Sequence, residues 1–194
     1  MEIIPFQDFI RRYHSGQDFI VFDTETTGLN TFHDDIIEIG ARRWNKKGTS
    51  ETFEELMWVN PNKITPASQG IHKIPAEEIV RARQPEQVLG DFIEFCGDRP
   101  LVAHNIRFDF PMLNSNLVRH GLKPYQNDQV ACSLIYAKEQ LLPGRLEELA
   151  KHYKVRLESE SLHRALYDVD VLIQVLNTLM KEYEPEEMQY SLVL

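Results

Sequence analysis

Phe19-Ile20-Val21-Phe22-Asp23-Thr24-Glu25-Thr26-Thr27-Gly28 is the stretch whose reading decides the fold. Four apolar, β-favouring residues run directly into two acids that are separated by one threonine. In an extended strand, residues i and i+2 point to the same face, so the carboxylates of Asp23 and Glu25 leave a buried strand together. Two like charges held so close call for a cation, and the plain alternative is a pair of solvated acids at a strand end. Thr26-Thr27-Gly28 then reads as the turn that leaves the strand.

Outward from this strand, residues 6–13 carry apolar side chains at helical spacing and Gly16 stops them, which predicts a short leading helix. Strands are predicted at 36–44 and 52–59, separated by Lys46-Lys47-Gly48, so the sheet starts antiparallel. Residues 60–74, with Pro61 and Pro66, read as loop, and Pro85 opens a helix that reaches about Cys96. A short strand at Leu101-Val102-Ala103 follows, then helices at 111–120, 146–153 and 164–183. The core face of the last helix takes Leu166, Val169, Leu172, Ile173, Leu176 and Leu179 or Met180, while Asp170 reads as solvated. Strands first, then alternating strands and helices, is an α/β order. The one boundary is the acidic Glu184-Pro185-Glu186-Glu187, which divides a domain at 1–183 from a tail at 184–194.

With 194 residues, 42% of them hydrophobic, the chain can bury one sizeable core. A formal net charge of −9 argues against broad electrostatic binding to duplex DNA, which needs many lysines and arginines to displace counterions. Binding to a polyanion has to be local, through cations held by carboxylates, the hard ligands that Mg²⁺ prefers. No run of eighteen apolar residues occurs and the first residues form no signal-peptide core, so a cytoplasmic protein without a membrane partner is expected. Cys96 and Cys132 read as reduced core thiols.

Two further segments carry chemistry. His104-Asn105-Ile106-Arg107-Phe108-Asp109 lies between the strand at Leu101 and the helix that Pro111 is expected to open, with Asp109 at the helix start as an N-cap or a cation ligand. His163-Arg164-Ala165-Leu166-Tyr167-Asp168 enters the last helix. Full helix would set His163 and Asp168 apart around the axis, but a histidine still in the loop can swing into the same cavity.

FDTETTG at 22–28, HNIRFD at 104–109 and HRALYD at 163–168, in this order, resemble the three exonuclease motifs of the DEDD superfamily in its histidine-containing branch, to which the epsilon proofreading subunit of bacterial replicative polymerase belongs. DDIIEIGA at 34–41, IHKI at 71–74 and LEELAKHY at 146–153 support the match, which spans about residues 18 to 180. Lys73 stands where relatives usually have glycine, and Cys132-Ser133 where many have aspartate and threonine.

The resemblance implies a ribonuclease H-like α/β fold, a five-stranded mixed sheet flanked by helices. It also implies a 3′→5′ exonuclease in which Asp23, Glu25, Asp109 and Asp168 bind two Mg²⁺ or Mn²⁺ ions and His163 takes the proton from the attacking water. Thr26 and Leu29 are candidates for contacting the terminal nucleotide, and Phe108 for stacking on a base or for supporting its helix. The expected partner is a single-stranded or frayed 3′ end of DNA, with RNA as the alternative substrate and a non-catalytic nucleic-acid-binding module as the alternative of another class. Gln189-Tyr190-Ser191-Leu192-Val193-Leu194 resembles the peptide by which many bacterial proteins bind the sliding clamp, through Gln189, Leu192 and Leu194. A clamp or a polymerase is therefore a candidate partner, and packing of the tail on its own domain is the other reading.

Overall fold

The computed structural model describes residues 1–158 and 163–183, and the strand β2 (Phe19–Thr26) runs through its centre. Its apolar residues alternate between two cores. Ile20 and Phe22 pack on the side of α4 (Pro85–Cys96) and α5 (Ile106–Arg119), whereas Phe19 and Val21 pack on the side of α1 (Phe6–His14) and α8 (Ala165–Glu182). All four are fully buried, each contributing about 1.5–3 kcal/mol by leaving water. A strand covered on both faces reads as a continuous apolar run, which is what the sequence shows here.

Among the described residues the sheet has six strands, in the order β1-β6-β5-β2-β3-β4, adding β1 (Glu2–Ile3), β3 (Ile36–Asn45), β4 (Gly48–Leu56), β5 (Leu101–Ala103) and β6 (Gln129–Cys132). β2, β3 and β4 form the expected antiparallel start, and β5, β6 and β1 join in parallel. The expected α/β, ribonuclease H-like sheet is thus present with a sixth strand. β1 is two residues long, too short to leave a periodic signal, and is held by its pairing with Gln129 and Val130.

Other departures have local causes. β4 starts at Gly48 and ends at Leu56, because pairing across the tight turn (Asn45 with Gly48) sets it rather than the apolar residues further on. Residues 60–74 contain a 3₁₀ turn (Pro61–Lys63) and α2 (Pro66–His72). Both prolines sit in the first helical turn, where a missing N–H costs nothing, and Thr65 and Ser68 complete a capping box. Lys73 ends α2 at φ 58°, the left-handed conformation that glycine takes most easily. α5 starts at Ile106, so Pro111 lies inside it and Asp109 is in its first turn rather than at its cap. α3 (Ala76–Ile79), α6 (Ser133–Glu139) and α7 (Leu146–His152) complete the described helices. Leu166 is only partly buried, while the other expected core positions of α8 are buried. Asp170 is not merely solvated: both its oxygens accept from the Arg42 guanidinium. Both cysteines are free and buried. No helix among the described residues is long and apolar enough to cross a membrane. The tail positions Gln189, Leu192 and Leu194 lie outside the described residues.

Candidate active site

The site forms where β2 runs out between two helices that pack on opposite faces of the sheet. Asp23 and Glu25 continue the alternation of Phe19 and Val21 and so face the α8 side, and Thr24 continues that of Ile20 and Phe22 towards α5. Thr24 donates its hydroxyl to Oδ1 of Asp109 at 3.0 Å, tying α5 to the strand between the two acids. Asn116, one of the most buried polar residues, accepts from the Ile36 N–H at 3.2 Å and donates to the Met112 carbonyl at 2.9 Å, which anchors α5 to the start of β3. Sequence reasoning did not single out Thr24 or Asn116. The available signal was polarity at positions whose neighbours are buried, since a buried hydroxyl or amide needs a partner.

α8 reaches the strand by a different device. In the antiparallel register Gly40 faces Asp23 and Glu38 faces Glu25. A Cβ on Gly40 would lie 2.2 Å from the Leu166 nitrogen, so the first turn of α8 rests on bare β3 backbone. Asp168 is in that turn. His163 stands two residues before the helix with φ 65°, an uncommon conformation for a residue with a Cβ, which the surrounding contacts have to hold.

The result brings ligand atoms of Glu25, His163 and Asp168 within 4.8 Å of one another. Asp109 is 4% exposed and Glu25 8%, and Asp23 is only partly open to solvent. Loss of hydration pushes the Glu25 carboxyl up to about 9, helped by the negative fields of Asp168, Glu38 and Asp109. The same cause pushes Asp109 up to about 7 against the Thr24 hydrogen bond, and Asp168 up to about 6 against the pull of His163. Asp23 is raised well above the ordinary carboxylate value by burial and by Asp109, Glu25, Asp168 and Glu38. Oδ1 of Asp168 is buried and accepts no hydrogen bond among the described residues. Four hydration-starved carboxyls, one with an orphaned oxygen, fit a hard divalent cation, which would supply the missing positive charge.

A cleft of about 460 Å³, within the range of small-ligand sites, opens beside this cluster and is lined by His104, Asn105, Leu134, Arg145, His163 and Asp168. The His104 ring is fixed by Ser133 Oγ at 2.8 Å and the Gly144 carbonyl at 3.0 Å. Of the expected substrate contacts, Leu29 stands 83% exposed just beyond the strand. Thr26 donates its hydroxyl to the Gly28 carbonyl at 2.7 Å, and Phe108 is partly buried against the α4/α5 core. Gly28 has a packing reason of its own: a Cβ there would lie 2.4 Å from the Asp34 carboxylate, which folds the following loop by accepting from the Asn30 N–H.

A family model described as exonuclease, that of RNase T, matches residues 20–176. The chain belongs to this family. The family is one of exonucleases. It is 34% identical over 173 residues to the DNA polymerase III PolC-type of Streptococcus sanguinis, a match that covers 87% of this chain and 11% of that protein. It is 29% identical over 180 residues to the PolC-type polymerase of Lactococcus lactis, covering 91% and 11%. The chain therefore spans about a tenth of the length of these curated relatives. Exonuclease I of E. coli in complex with a dT13 oligonucleotide has the same fold, with TM-score 0.77 and 18% identity over 90% of this chain and 43% of that one. So does a 3′-exonuclease solved for its 3′-end-specific recognition of histone mRNA stem-loop, with TM-score 0.74 and 15% identity over 87% and 65%.

Proposed function

We propose that this chain removes nucleotides singly from 3′ ends of DNA, releasing nucleoside 5′-monophosphates by metal-dependent hydrolysis. The observation that carries this reading is the group of four crowded carboxyls, Asp23, Glu25, Asp109 and Asp168, all pushed above the ordinary carboxylate range with no cation of the chain hydrogen-bonded to them among the described residues. These four residues would hold two Mg²⁺ or Mn²⁺ ions, which supply charge stabilisation for a phosphoryl displacement and activate water. His163, outside the helix and 44% exposed, would take a proton from that water. Leu29, projecting beyond the ligand strand, packs against the terminal base, the backbone of the turn at Thr26 borders the terminal sugar, and the partly buried Phe108 contacts a base. DNA is preferred over RNA on the strength of the PolC-type relatives, which are DNA polymerases by name.

The test is incubation of the purified protein with 5′-labelled single-stranded DNA, mismatched primer–template and RNA, with Mg²⁺, Mn²⁺ or EDTA. Stepwise shortening from the 3′ end with either ion and none in EDTA is expected, faster on DNA than on RNA. Shortening of RNA ahead of DNA would move the substrate assignment to RNA. Binding of DNA with no shortening by either ion would reduce the chain to a binding module.

A further inference from the structure

We infer that Glu38 and Arg164 are a positioning pair for the exonuclease site, holding the first turn of α8, and with it Asp168 and His163, in register with Glu25. Glu38 is 1% exposed. Its carboxylate accepts from Nη2 of Arg164 at 2.7 Å, from Nε at 3.1 and 3.2 Å, and from the backbone N–H of Ala165 at 2.9 Å. Arg164 is the N-cap residue of α8 and makes no side-chain capping bond of its own. The cap comes instead from another element, strand β3, and the arginine clamps that cap in place.

The position of Glu38 is costly on its face. Cross-strand neighbours project to the same side of a sheet, so Glu38 stands beside Glu25, and like charges in this relation repel. A fold needing only a filled space there would use an apolar residue. A carboxylate does three things such a residue cannot. It satisfies a free helix N–H, it adds negative charge at the positive end of the helix, and it takes a two-point grip on a guanidinium. With the contact at Gly40, two residues along β3, it fixes both the height and the rotation of α8 above the strand. Asp168, one turn into the helix, and His163, just ahead of Arg164, inherit that placement. Groups that orient metal ligands in this way change metal affinity or activity by about 10–100-fold when removed.

The inference rests on the exonuclease reading and is tested on Glu38→Gln, Arg164→Met, Arg164→Lys and the double variant Glu38→Gln/Arg164→Met. For each, Mn²⁺ binding is measured by calorimetry, kcat and KM on a short single-stranded oligonucleotide, and Tm in EDTA. Glu38→Gln keeps an acceptor for Ala165 but loses the charged grip. It is expected to lower kcat and Mn²⁺ affinity by about 10-fold or more, with KM within about 3-fold of wild type. Arg164→Met should match it, and Arg164→Lys should recover part of both. The double variant removes the orphaned charge, so its Tm should return towards wild type while kcat stays low. Wild-type kcat and Mn²⁺ affinity at a reduced Tm would overturn the inference in favour of a purely structural role. A raised KM at unchanged kcat would overturn it in favour of a strand contact by Arg164. If Glu38→Gln fails to fold, the two variants of the half-exposed Arg164 decide the matter. If wild type releases no nucleotide, the exonuclease reading fails while the Mn²⁺ affinities still test the pair.

Discussion

The two ends of β2 treat acidic side chains in opposite ways. At its entry, Asp18 is met by donors from across the hairpin: Asn45 Nδ2 at 2.6 Å and both Nε and Nη2 of Arg43, which also reaches Glu51 at 2.7 Å. The Asn45 bond, with those from Arg43, holds the Asp18 carboxyl below its ordinary value despite partial burial. At its exit, Asp23 and Glu25 meet further acids, and burial drives all of them the other way. Arg164, the cation beside Glu25, is already gripped by Glu38. One end of the strand satisfies its charges from within the chain, and the other leaves them to be satisfied from outside. That asymmetry, more than the number of acids, is the ground for proposing the exit as the working end.

The largest effect is expected from breaking the exit. Asp23→Ala should reduce nucleotide release by about 10³-fold or more, since a metal's charge stabilisation is worth several kcal/mol. The variant should stay folded, and its Tm in EDTA should equal or exceed that of wild type because it relieves repulsion among Asp23, Glu25, Asp109 and Asp168. Wild-type turnover by this variant would refute the site. His163→Ala should come next, lowering kcat by about 10²–10⁴-fold while calorimetry finds Mn²⁺ binding within a few-fold of wild type.

The comparison also predicts opposite responses to pH. Carboxyls with raised folded-state values stabilise the fold while protonated; that contribution is whole below their unfolded values near 4 and is lost as pH rises through about 6 for Asp168, 7 for Asp109 and 9 for Glu25. Thermal melts in EDTA should therefore show Tm falling between pH 5 and pH 9, by less in Asp23→Ala, and saturating Mn²⁺ should flatten the decline. Asp18 runs the other way: its contribution is present above the ordinary carboxylate value and lost as pH falls through the depressed one. Asp18→Asn gives the smallest expected change, about 1 kcal/mol or less at neutral pH for a partly exposed pair, with kcat unaltered. A loss of kcat in Asp18→Asn would show that the two ends are coupled.

Much of this is legible in the sequence. The Phe19–Phe22 run marks a buried strand, because such a strand leaves a local pattern, and alternation alone puts Asp23 and Glu25 on one side. The helices α4, α7 and α8 followed from periodicity and from Pro85. Weaker elements were not readable: β1 exists only through its partner β6, and α2 was hidden by prolines that serve it at its first turn. Pattern placed Asp109 at a helix cap, whereas the helix begins earlier at Ile106 and Thr24 holds the carboxylate from another strand. The meeting of His163 and Asp168 with Glu25 depends on a left-handed backbone at His163, on a glycine that admits a helix to the sheet at Gly40, and on a carboxylate of β3 that caps that helix. Local sequence determines which face of its own strand or helix a side chain takes, because that is a matter of backbone period. Tertiary structure alone decides which faces meet, because the contacts that set them join residues 80 to 127 positions apart.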